Sequence, residues 1–357
     1  MEFNLADLFE NAVDHFGERE YLVCDGKRRT YAEMEARANR LAHHLAAQGI
    51  GRGDHVGIYA LNSVEWVETL WAVFKLRAVW ININYRYVED ELRYLFDNAD
   101  LKALVYARQY APRVADVVDA MPLLEHHVVI EDGSDEDLGA LGSVDYEQAI
   151  AAASPVRDFE PRSADDRYIL YTGGTTGMPK GVVWRHEDVF MALGGGIDPM
   201  TNERAARPEV MAEKGLAGGP MTYLPIAPLM HGATQWAVMG QSFIGNRLVL
   251  MGRFDAAQVW DLVAREKVDA LMITGDAMGR PLIEALDAEP GRWDTSSFFL
   301  LTSSAATFSP AVKDVFFKNF PNLIMVDAVG SSEGGNNGLV MVQKGATEMK
   351  GGPTVSK

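Results

Sequence analysis

The sequence predicts an α/β fold of mainly parallel sheets covered by helices. Amphipathic helices alternate with short apolar strands along almost the whole chain, which is typical of parallel sheets. The 357 residues, 48% hydrophobic and 23% charged, suffice for a sizeable core divided between two or more lobes. A short apolar strand that runs into a glycine-rich loop at residues 171–181 fits the same pattern.

Helix caps and hydrophobic spacing predict the elements of the first 110 residues. Thr30 and Glu33 form a capping box, and the apolar residues that follow repeat at helical spacing until Gly49 ends the helix. Asn62 is predicted to cap the next helix. In order, the remaining elements are a strand at His55–Ala60, a helix carrying Val64, Val67, Trp71 and Phe74, a strand at Val79–Ile83, a helix carrying Val88, Leu92, Leu95 and Phe96, and a strand at Ala103–Tyr106.

The second half continues the alternation after two polar loops at residues 132–143 and 154–166. We place a domain boundary near residue 160, within the second loop. Residues 194–222 are polar and glycine-rich, and form either a mobile lid or a variable surface insertion. The later strands are predicted at Thr222–Ile226, Arg247–Met251, Asp269–Ile273, Phe298–Thr302 and Leu323–Asp327, with helices at Ala256–Glu266 and Pro310–Asn319.

Composition and charge disfavour several classes of function. The net charge of −17 repels nucleic acid and anionic membranes, so neither is an expected partner. Cys24 is the single cysteine, which rules out a disulfide within the chain and a cysteine-based metal cluster. The first residues lack the features of a secretion signal, and no apolar run approaches the length of a transmembrane helix. A cytoplasmic location is therefore expected.

The loop from Tyr171 to Gly181 is built for a polyphosphate. Glycines let backbone N–H groups approach an anion closely, threonine hydroxyls add donors, and Lys180 adds a mobile positive charge. It is not a P-loop, because Pro179 precedes the lysine and no hydroxyl residue follows it. It is not the G-x-G-x-x-G loop either, and no such loop follows the first strand, so a Rossmann oxidoreductase is disfavoured.

The order T-x-G-T-T-G-x-P-K-G resembles the phosphate loop of the adenylate-forming enzymes, the family of acyl-CoA synthetases, luciferases and peptide-synthetase adenylation domains. Gly173 stands where that family most often has serine. The resemblance implies that the loop holds the β- and γ-phosphates of ATP. The residues concerned are Thr172, Gly173, Gly174, Thr175, Thr176, Gly177 and Lys180.

A second motif, Leu224–Gly232, resembles the family's P-L-x-H-x-x-G segment. The resemblance implies that His231 forms a gate and wall of the acyl pocket, and that the helix after it lines that pocket. The alternative that Trp236 and Met239 only pack in the core stays open. The implied pocket residues are His231, Thr234, Gln235, Met239, Gly275 and Gly330.

Two further segments supply the implied nucleotide side of the site. A turn of very small residues follows a strand, and Ser309 and Pro310 then cap and start a helix. Val326–Glu333 resembles the family's Y-G-x-T-E segment, with Val329 in place of the aromatic residue. Glu333 is expected to hold Mg²⁺. The implied adenine and nucleotide contacts are Ser303, Ser304, Ala305, Ala306, Asp327 and Ser332.

The resemblance implies a layered α/β/α/β/α domain that activates a carboxylic acid with ATP and Mg²⁺ and then transfers it to CoA. Lys180, His231 and Glu333 carry the implied catalysis. Residues 1–160 would form a first α/β subdomain, completed by later parts of the chain, and residues 161–357 a second one. The family's β-barrel subdomain and small C-terminal domain, which carries a further lysine, are not found after Glu333. We therefore expect little or no ligase activity from these residues alone.

The sequences of the motifs are most similar to those of actinobacterial fatty-acyl-CoA synthetases, in particular a subgroup associated with steroid side-chain degradation. The segments that carry this similarity are Tyr171–Asp188, Arg86–Asn98, His231–Gln235 and Gly275–Met278. Two other functions stay open: adenylation that loads a carrier protein, and an inactive nucleotide-binding module. A homodimer is one arrangement that the sequence leaves open.

Overall fold

The structure is a computed structural model that describes residues 2–139, 141–173, 177–198 and 201–342, without the side chains of Asn336 and Asn337. Its strands are β1 (Glu20–Cys24), β2 (Lys27–Thr30), β3 (His55–Tyr59), β4 (Val79–Asn82), β5 (Leu101–Ala107), β6 (His126–Ile130), β7 (Val144–Asp145), β8 (Arg167–Thr172), β9 (Lys180–Arg185), β10 (Thr222–Pro225), β11 (Arg247–Leu250), β12 (Ala270–Ile273), β13 (Leu300–Ser303), β14 (Ile324–Ser331) and β15 (Gly335–Val342).

The helices fall between these strands and confirm the predicted alternation. They are α1 (Leu5–Phe16), α2 (Tyr31–Ala47), α3 (Val64–Lys75), α4 (Glu89–Asn98), α5 (Ala111–Val118), α6 (Tyr146–Ala151), α7 (His186–Leu193), α8 (Glu209–Gly218), α9 (Gly232–Phe243), α10 (Ala256–Glu266), α11 (Gly275–Ala288) and α12 (Pro310–Asn319).

The strands form two mainly parallel sheets, as predicted. The eight-stranded sheet has the order β15-β14-β13-β12-β10-β11-β1-β2, and the seven-stranded sheet has the order β7-β6-β5-β3-β4-β8-β9. The antiparallel pairs are β1 with β2, β8 with β9, and β14 with β15. Each antiparallel pair lies at an edge of its sheet. The added antiparallel strand pairs with backbone N–H and C=O groups of its neighbour that would otherwise be exposed at that edge.

Helices lie between the two sheets and on their outer faces, which confirms the layered α/β/α/β/α arrangement. Helix α3 contacts β1 of one sheet as well as β3 and β4 of the other, and α9 contacts β10 and β11. The outer helices α10, α11 and α12 pack on one another and share a second hydrophobic core with the eight-stranded sheet, centred on the buried Trp260.

The sheets exchange segments along the chain. Strands β1 and β2, from residues 20–30, join the eight-stranded sheet, whereas β8 and β9, from residues 167–185, join the seven-stranded sheet. Sheet membership therefore does not change at a single position. The boundary near residue 160 remains a prediction about the organisation of the chain.

The predicted capping box of α2 is confirmed, and the predicted cap of α3 was wrong. Thr30 and Glu33 form the reciprocal capping box at the start of α2. Ser63, not Asn62, caps α3 by accepting the N–H of Trp66. Asn62 is used elsewhere, because its buried amide donates to Met251 O at 3.0 Å and accepts from Leu229 N at 2.7 Å. It thus links loops of the eight-stranded sheet to the entry of α3.

Three further details differ from, or add to, the prediction. Ser309 takes the N-cap position of α12, but its side chain makes no capping hydrogen bond. Val88 precedes α4 as its N-cap residue and is exposed, so it does not belong to the buried stripe of that helix. The stretch 194–222 contains α8, which packs against α1 and α9. None of the helices in the described ranges combines the length and the apolar run needed to cross a bilayer.

Candidate functional site

Four parallel strands of the eight-stranded sheet end at one edge. The backbone register pairs Pro225 with Met272, Ile273 with Ser303, and Ser303 with Asp327. The carboxyl ends of parallel strands meet at the same side of a sheet, and α/β proteins bind ligands in the crevice outside those ends. The loop before His231, the start of α11, the small-residue turn and the Asp327 segment all emerge there.

The predicted phosphate loop connects two antiparallel strands of the other sheet. Thr172, the last residue of β8, pairs with Lys180, the first residue of β9. Thr172 is half-buried, while Gly173, Gly177 and Lys180 are exposed. The other predicted loop residues, Gly174, Thr175 and Thr176, lie outside the described residues.

Asn82 ties the phosphate loop to the His231 segment. Its buried amide donates to Tyr171 O at 2.9 Å and to Met230 O at 2.7 Å, and its Oδ1 accepts from Tyr171 N at 2.8 Å. One side chain in β4 therefore fixes the backbone at the end of β8 and the residue before His231. The sequence reasoning missed Asn82, although a lone amide inside an apolar strand is an unusual signal.

Trp184 ties the strand after the phosphate loop to the Glu333 segment. Its indole Nε1 donates to Ser332 O at 2.8 Å. Ser331 Oγ accepts the N–H of Gly334 in the same turn. Gly330 and Glu333 are exposed, and Ser332 is half-buried. Asn82 thus joins the end of β8 to the residue before His231, and Trp184 joins the strand after the predicted phosphate loop to the Glu333 segment.

His231 occupies the N-cap position of α9 and is exposed at residue level. Desolvation of the imidazole and the positive charge of Arg86 lower the pKa of His231 below its usual 6.5. A group whose pKa is lowered in this way is neutral at pH 7, so its ring can both donate and accept a hydrogen bond. Arg86 is itself exposed, and places a cation near the same end of α9.

The first turns of α9 are buried against the seven-stranded sheet. Gln235 is fully buried, and its Oε1 accepts from Trp80 Nε1 at 3.1 Å and Tyr168 OH at 2.8 Å. An indole nitrogen only donates, so this contact fixes the orientation of the amide. Thr234 and Met239 are also fully buried. Thr234 Oγ1 and Gln235 Nε2 have no hydrogen-bond partner among the described residues.

Gly275 supports the small-residue turn by close backbone contact. A Cβ at this position would lie 2.3 Å from Thr307 O, and Gly275 has a φ of +56°. Gly275 N donates to Ser303 Oγ at 3.2 Å, and Asp276 N donates to Thr307 O at 2.9 Å. Asp276 Oδ1 accepts the N–H of Ser309 at 2.8 Å. The start of α11 thus shapes the turn, and Asp276 is a supporting residue that the sequence reasoning missed.

The turn presents small side chains at the edge of the sheet. Ser303 is buried, Ser304 is half-buried, and Ala305 and Ala306 are exposed. Ala305 has a φ of +64°, a left-handed conformation that costs a residue with a Cβ about 1–2 kcal/mol. Asp327 lies on the neighbouring strand, where its Oδ2 accepts from Lys313 Nζ at 2.7 Å.

The donors around Glu333 fit a magnesium ion only if phosphate oxygens complete its ligands. Within the described ranges no three histidine, cysteine or carboxylate side chains are grouped to hold a metal. Glu333 is exposed and takes part in no ion pair there. Magnesium is typically bound through one or two carboxylates together with substrate phosphates and water, and Glu333 is a donor of that kind.

Comparison with known proteins extends over nearly the whole chain. A family model described as AMP-binding enzyme matches residues 9–355. The 3-oxocholest-4-en-26-oate–CoA ligase of Rhodococcus rhodochrous is 49% identical over 359 residues, which cover 99% of this chain and 64% of that protein. A medium/long-chain-fatty-acid–CoA/3-oxocholest-4-en-26-oate–CoA ligase of Mycobacterium tuberculosis is 47% identical, with the same coverage. The chain thus spans about two thirds of the length of these curated relatives.

Solved structures agree in fold. The N-terminal domain of FACL13 from Mycobacterium tuberculosis, crystallised with an inhibitor, superimposes with a TM-score of 0.75 at 25% identity, over 93% of this chain and 76% of that one. The anthranilate CoA ligase AuaEII in complex with anthranoyl-AMP gives a TM-score of 0.81 at 20% identity, over 97% of this chain and 63% of that one. At this identity the second comparison concerns the fold alone.

Proposed function

The chain belongs to the AMP-binding enzyme family, and we propose that it binds ATP and activates a carboxylic acid as an acyl-adenylate for transfer to CoA. One observation carries the proposal: between the two sheets, Asn82 joins the end of β8 before the phosphate loop to the His231 segment, and Trp184 joins the strand after that loop to the Glu333 segment. Such a convergence suits a ligand with a polyphosphate and an acyl end.

In the proposed reaction a carboxylate oxygen attacks the α-phosphorus of ATP, and the bond to the pyrophosphate oxygen breaks. The CoA thiolate then attacks the acyl carbon, and AMP leaves. The first step needs positioning and neutralisation of negative charge more than a protein nucleophile. A bound Mg²⁺ would offset charge on the phosphates, with Glu333 as its protein ligand.

Each segment has a separate role in this proposal. Lys180 and the loop before it hold the outer phosphates, and the turn at residues 303–306 receives the adenine. His231, neutral at pH 7, lies beside the reacting carboxylate, where a charged imidazole would instead bind that carboxylate as an ion pair. The positive charge of Arg86 lies near His231 and favours an anionic group at this end of α9.

The proposed acids are medium- and long-chain fatty acids and the carboxylic acids of steroid side chains. Both classes appear in the names of the relatives that are 47% and 49% identical to this chain. A carrier-protein phosphopantetheine has the same thiol chemistry as CoA. An assay that offers both acceptors would therefore decide which of them is used.

Calorimetry on the purified chain tests the proposal without requiring turnover. Non-hydrolysable acyl-adenylate analogues with medium-chain, long-chain and steroid acyl groups should bind more tightly than ATP with Mg²⁺, because they occupy both sides of the site. We expect Glu333→Gln and Lys180→Met each to weaken binding of ATP with Mg²⁺ about tenfold, the value of one interaction of about 1.4 kcal/mol.

Glu18→Gln is the matched control, because Glu18 is exposed and far along the chain from the site. It should leave the affinity unchanged. Failure of the chain to bind either ATP or any analogue would overturn the proposed function. If the chain binds ATP but none of the three analogues binds more tightly than ATP, the assignment of the acid classes is overturned and nucleotide binding still stands.

A further inference from the structure

Lys180 and Trp184 lie on the same face of β9. Side chains four residues apart in a strand point to the same side, with a spacing of about 13 Å. The register pairs Lys180 with Thr172 and Trp184 with Tyr168 of β8. Tyr168 OH donates to Gln235 of α9, so this face of the β8–β9 pair is directed towards α9. The lysine of the phosphate loop and Trp184 therefore both lie on the α9 side of the seven-stranded sheet.

The turn between β14 and β15 carries Glu333, and we call its residues 331–335 the hairpin tip. Trp184 Nε1 donates to Ser332 O at 2.8 Å. Among the described residues, this indole is the one side chain outside the hairpin that hydrogen-bonds the tip. On another side the tip rests on α7, because a Cβ at Gly335 would lie 3.0 Å from a methyl group of that helix. The tip is thus held between β9 and α7.

Strand pairing within the hairpin does not by itself fix the direction of the tip. The register between β14 and β15 shifts between Val329 and Gly330, directly before the tip. Such an irregularity bends and twists the strand pair, so the regular pairing behind it does not determine where the tip lies. Glu333 is exposed at the tip. Its place relative to Lys180 therefore depends on the contact that Trp184 makes.

We propose that Trp184 is a positioning residue, which holds the hairpin tip against β9 so that Mg²⁺ bound through Glu333 and the ammonium of Lys180 act on the same phosphates. This inference rests on the proposed function, because it takes Lys180 as a phosphate ligand and Glu333 as a magnesium ligand. Trp184 acts without touching the nucleotide. Its effect is exerted through Ser332 and so through the neighbouring Glu333 carboxylate.

The inference assigns to Trp184 the effect of Mg²⁺ on ATP affinity, and not ATP affinity in general. Without Mg²⁺, Lys180 still binds the phosphates, because its place at the start of β9 is set by pairing with β8. With Mg²⁺, the extra affinity requires the Glu333 carboxylate at the right position, since this ion demands near-ideal ligand geometry. A tryptophan that only stabilised the fold would change both affinities alike.

The experiment is calorimetric titration of the purified chain with ATP, once with Mg²⁺ and once with a chelator. In the wild-type chain Mg²⁺ should raise the affinity for ATP about tenfold, the value of one charged interaction. Trp184→Phe keeps an aromatic ring but has no N–H donor. It should lose most of this enhancement, while its affinity for ATP without Mg²⁺ should stay within about twofold of the wild-type value.

Two further variants show whether Trp184 acts through Glu333. Trp293→Phe is the matched control, because Trp293 is also half-buried and its Nε1 donates to Asp261 Oδ1 at 2.6 Å, at the outer helix α10. It should leave the enhancement unchanged. In Glu333→Gln the enhancement is already lost, so adding Trp184→Phe should weaken the binding of ATP with Mg²⁺ no further. Losses with independent causes would add instead.

The outcomes separate this inference from the proposed function. A wild-type chain that binds neither ATP nor an acyl-adenylate analogue overturns both. The inference alone is overturned if the chain binds only the analogue, if Mg²⁺ does not raise the affinity for ATP, if Trp184→Phe keeps the full enhancement, or if the losses in the double variant add. If Trp184→Phe does not fold, hydrogen exchange of the wild-type chain decides. Adding Mg²⁺ to its ATP complex should slow exchange in the hairpin tip and in β9 together, and slowing in the tip alone, or in neither, overturns the inference.

Discussion

Asn82 and Tyr171 exchange two hydrogen bonds across 89 residues of sequence. Asn82 Oδ1 accepts the N–H of Tyr171 at 2.8 Å, and Asn82 Nδ2 donates to Tyr171 O at 2.9 Å. The pairing imitates a backbone ladder where β8 runs into the phosphate loop. Since the same amide also donates to Met230 O, the position of the loop and that of the His231 turn are coupled.

Replacing Asn82 with alanine should lower both stability and nucleotide affinity. The change leaves the Tyr171 N–H and two carbonyl oxygens without this partner, and we expect the free energy of unfolding to fall by about 2–4 kcal/mol. Urea denaturation measures the loss, and ATP titration measures the affinity. Asn319→Ala, at an exposed helix end, is the matched control and should cost less than about 0.5 kcal/mol. Equal losses in the two variants would contradict the coupling.

We predict that position 275 requires glycine for two reasons: the backbone of Thr307 lies very close to it, and its φ is positive. Gly275 and Gly291 both have a positive φ, of +56° and +79°. An added Cβ meets Thr307 O at 2.3 Å in the first case and nothing within 4 Å in the second. Gly291→Ala should therefore cost about 1 kcal/mol from conformation alone. Gly275→Ala should cost at least about 2 kcal/mol more in thermal or urea unfolding, and similar costs would show that the turn shifts freely.

Ala305 carries backbone strain that a glycine should relieve. Its φ of +64° is unfavourable for alanine, whereas Ala306 is not among the non-glycine residues with a positive φ. Ala305→Gly should leave stability unchanged or raise it by about 0.5 kcal/mol, because relief of strain offsets the extra freedom of the unfolded chain. Ala306→Gly should instead lower the free energy of unfolding by about 0.5–1 kcal/mol. Melting temperatures that move in the same direction would argue against strain at Ala305.

The free energy of unfolding should decrease as the pH falls, partly because of His186. Burial lowers the pKa of this fully buried imidazole from 6.5 to about 4, although Asp166 opposes the shift. Between pH 6.5 and 4 the unfolded chain binds a proton that the folded chain does not, so stability decreases as the pH falls. At pH 5 the loss relative to pH 7 should be about 2 kcal/mol from this group.

The variant His186→Gln isolates that contribution. It does not titrate, so the difference in unfolding free energy between pH 7 and pH 5 should shrink by about 2 kcal/mol. Asn319→Gln, at an exposed position with a side chain that does not titrate, should leave the difference unchanged. An unaltered pH dependence in His186→Gln would show that folding does not lower the pKa of this imidazole.

Local signals in the sequence predicted the elements well where the determining contacts are short-range. The Thr30–Glu33 capping box spans three residues, and α10 and α12 have the bounds that were predicted from the sequence. Asn62 was misassigned because its side chain is engaged by Leu229 and Met251, far away in sequence. A cap residue and a residue that joins two loops look the same in the sequence.

The sequence by itself determined the α/β class, because hydrophobic period and capping act over a few residues, and its motifs predicted four segments of the site. Only the tertiary structure decided how those segments meet. Asn82 reaches Met230 across 148 residues, and Trp184 reaches Ser332 across the same separation. The ion pair between Lys313 and Asp327 likewise joins α12 to β14. Such contacts are selected by the packing of whole sheets and helices, and no local pattern encodes them.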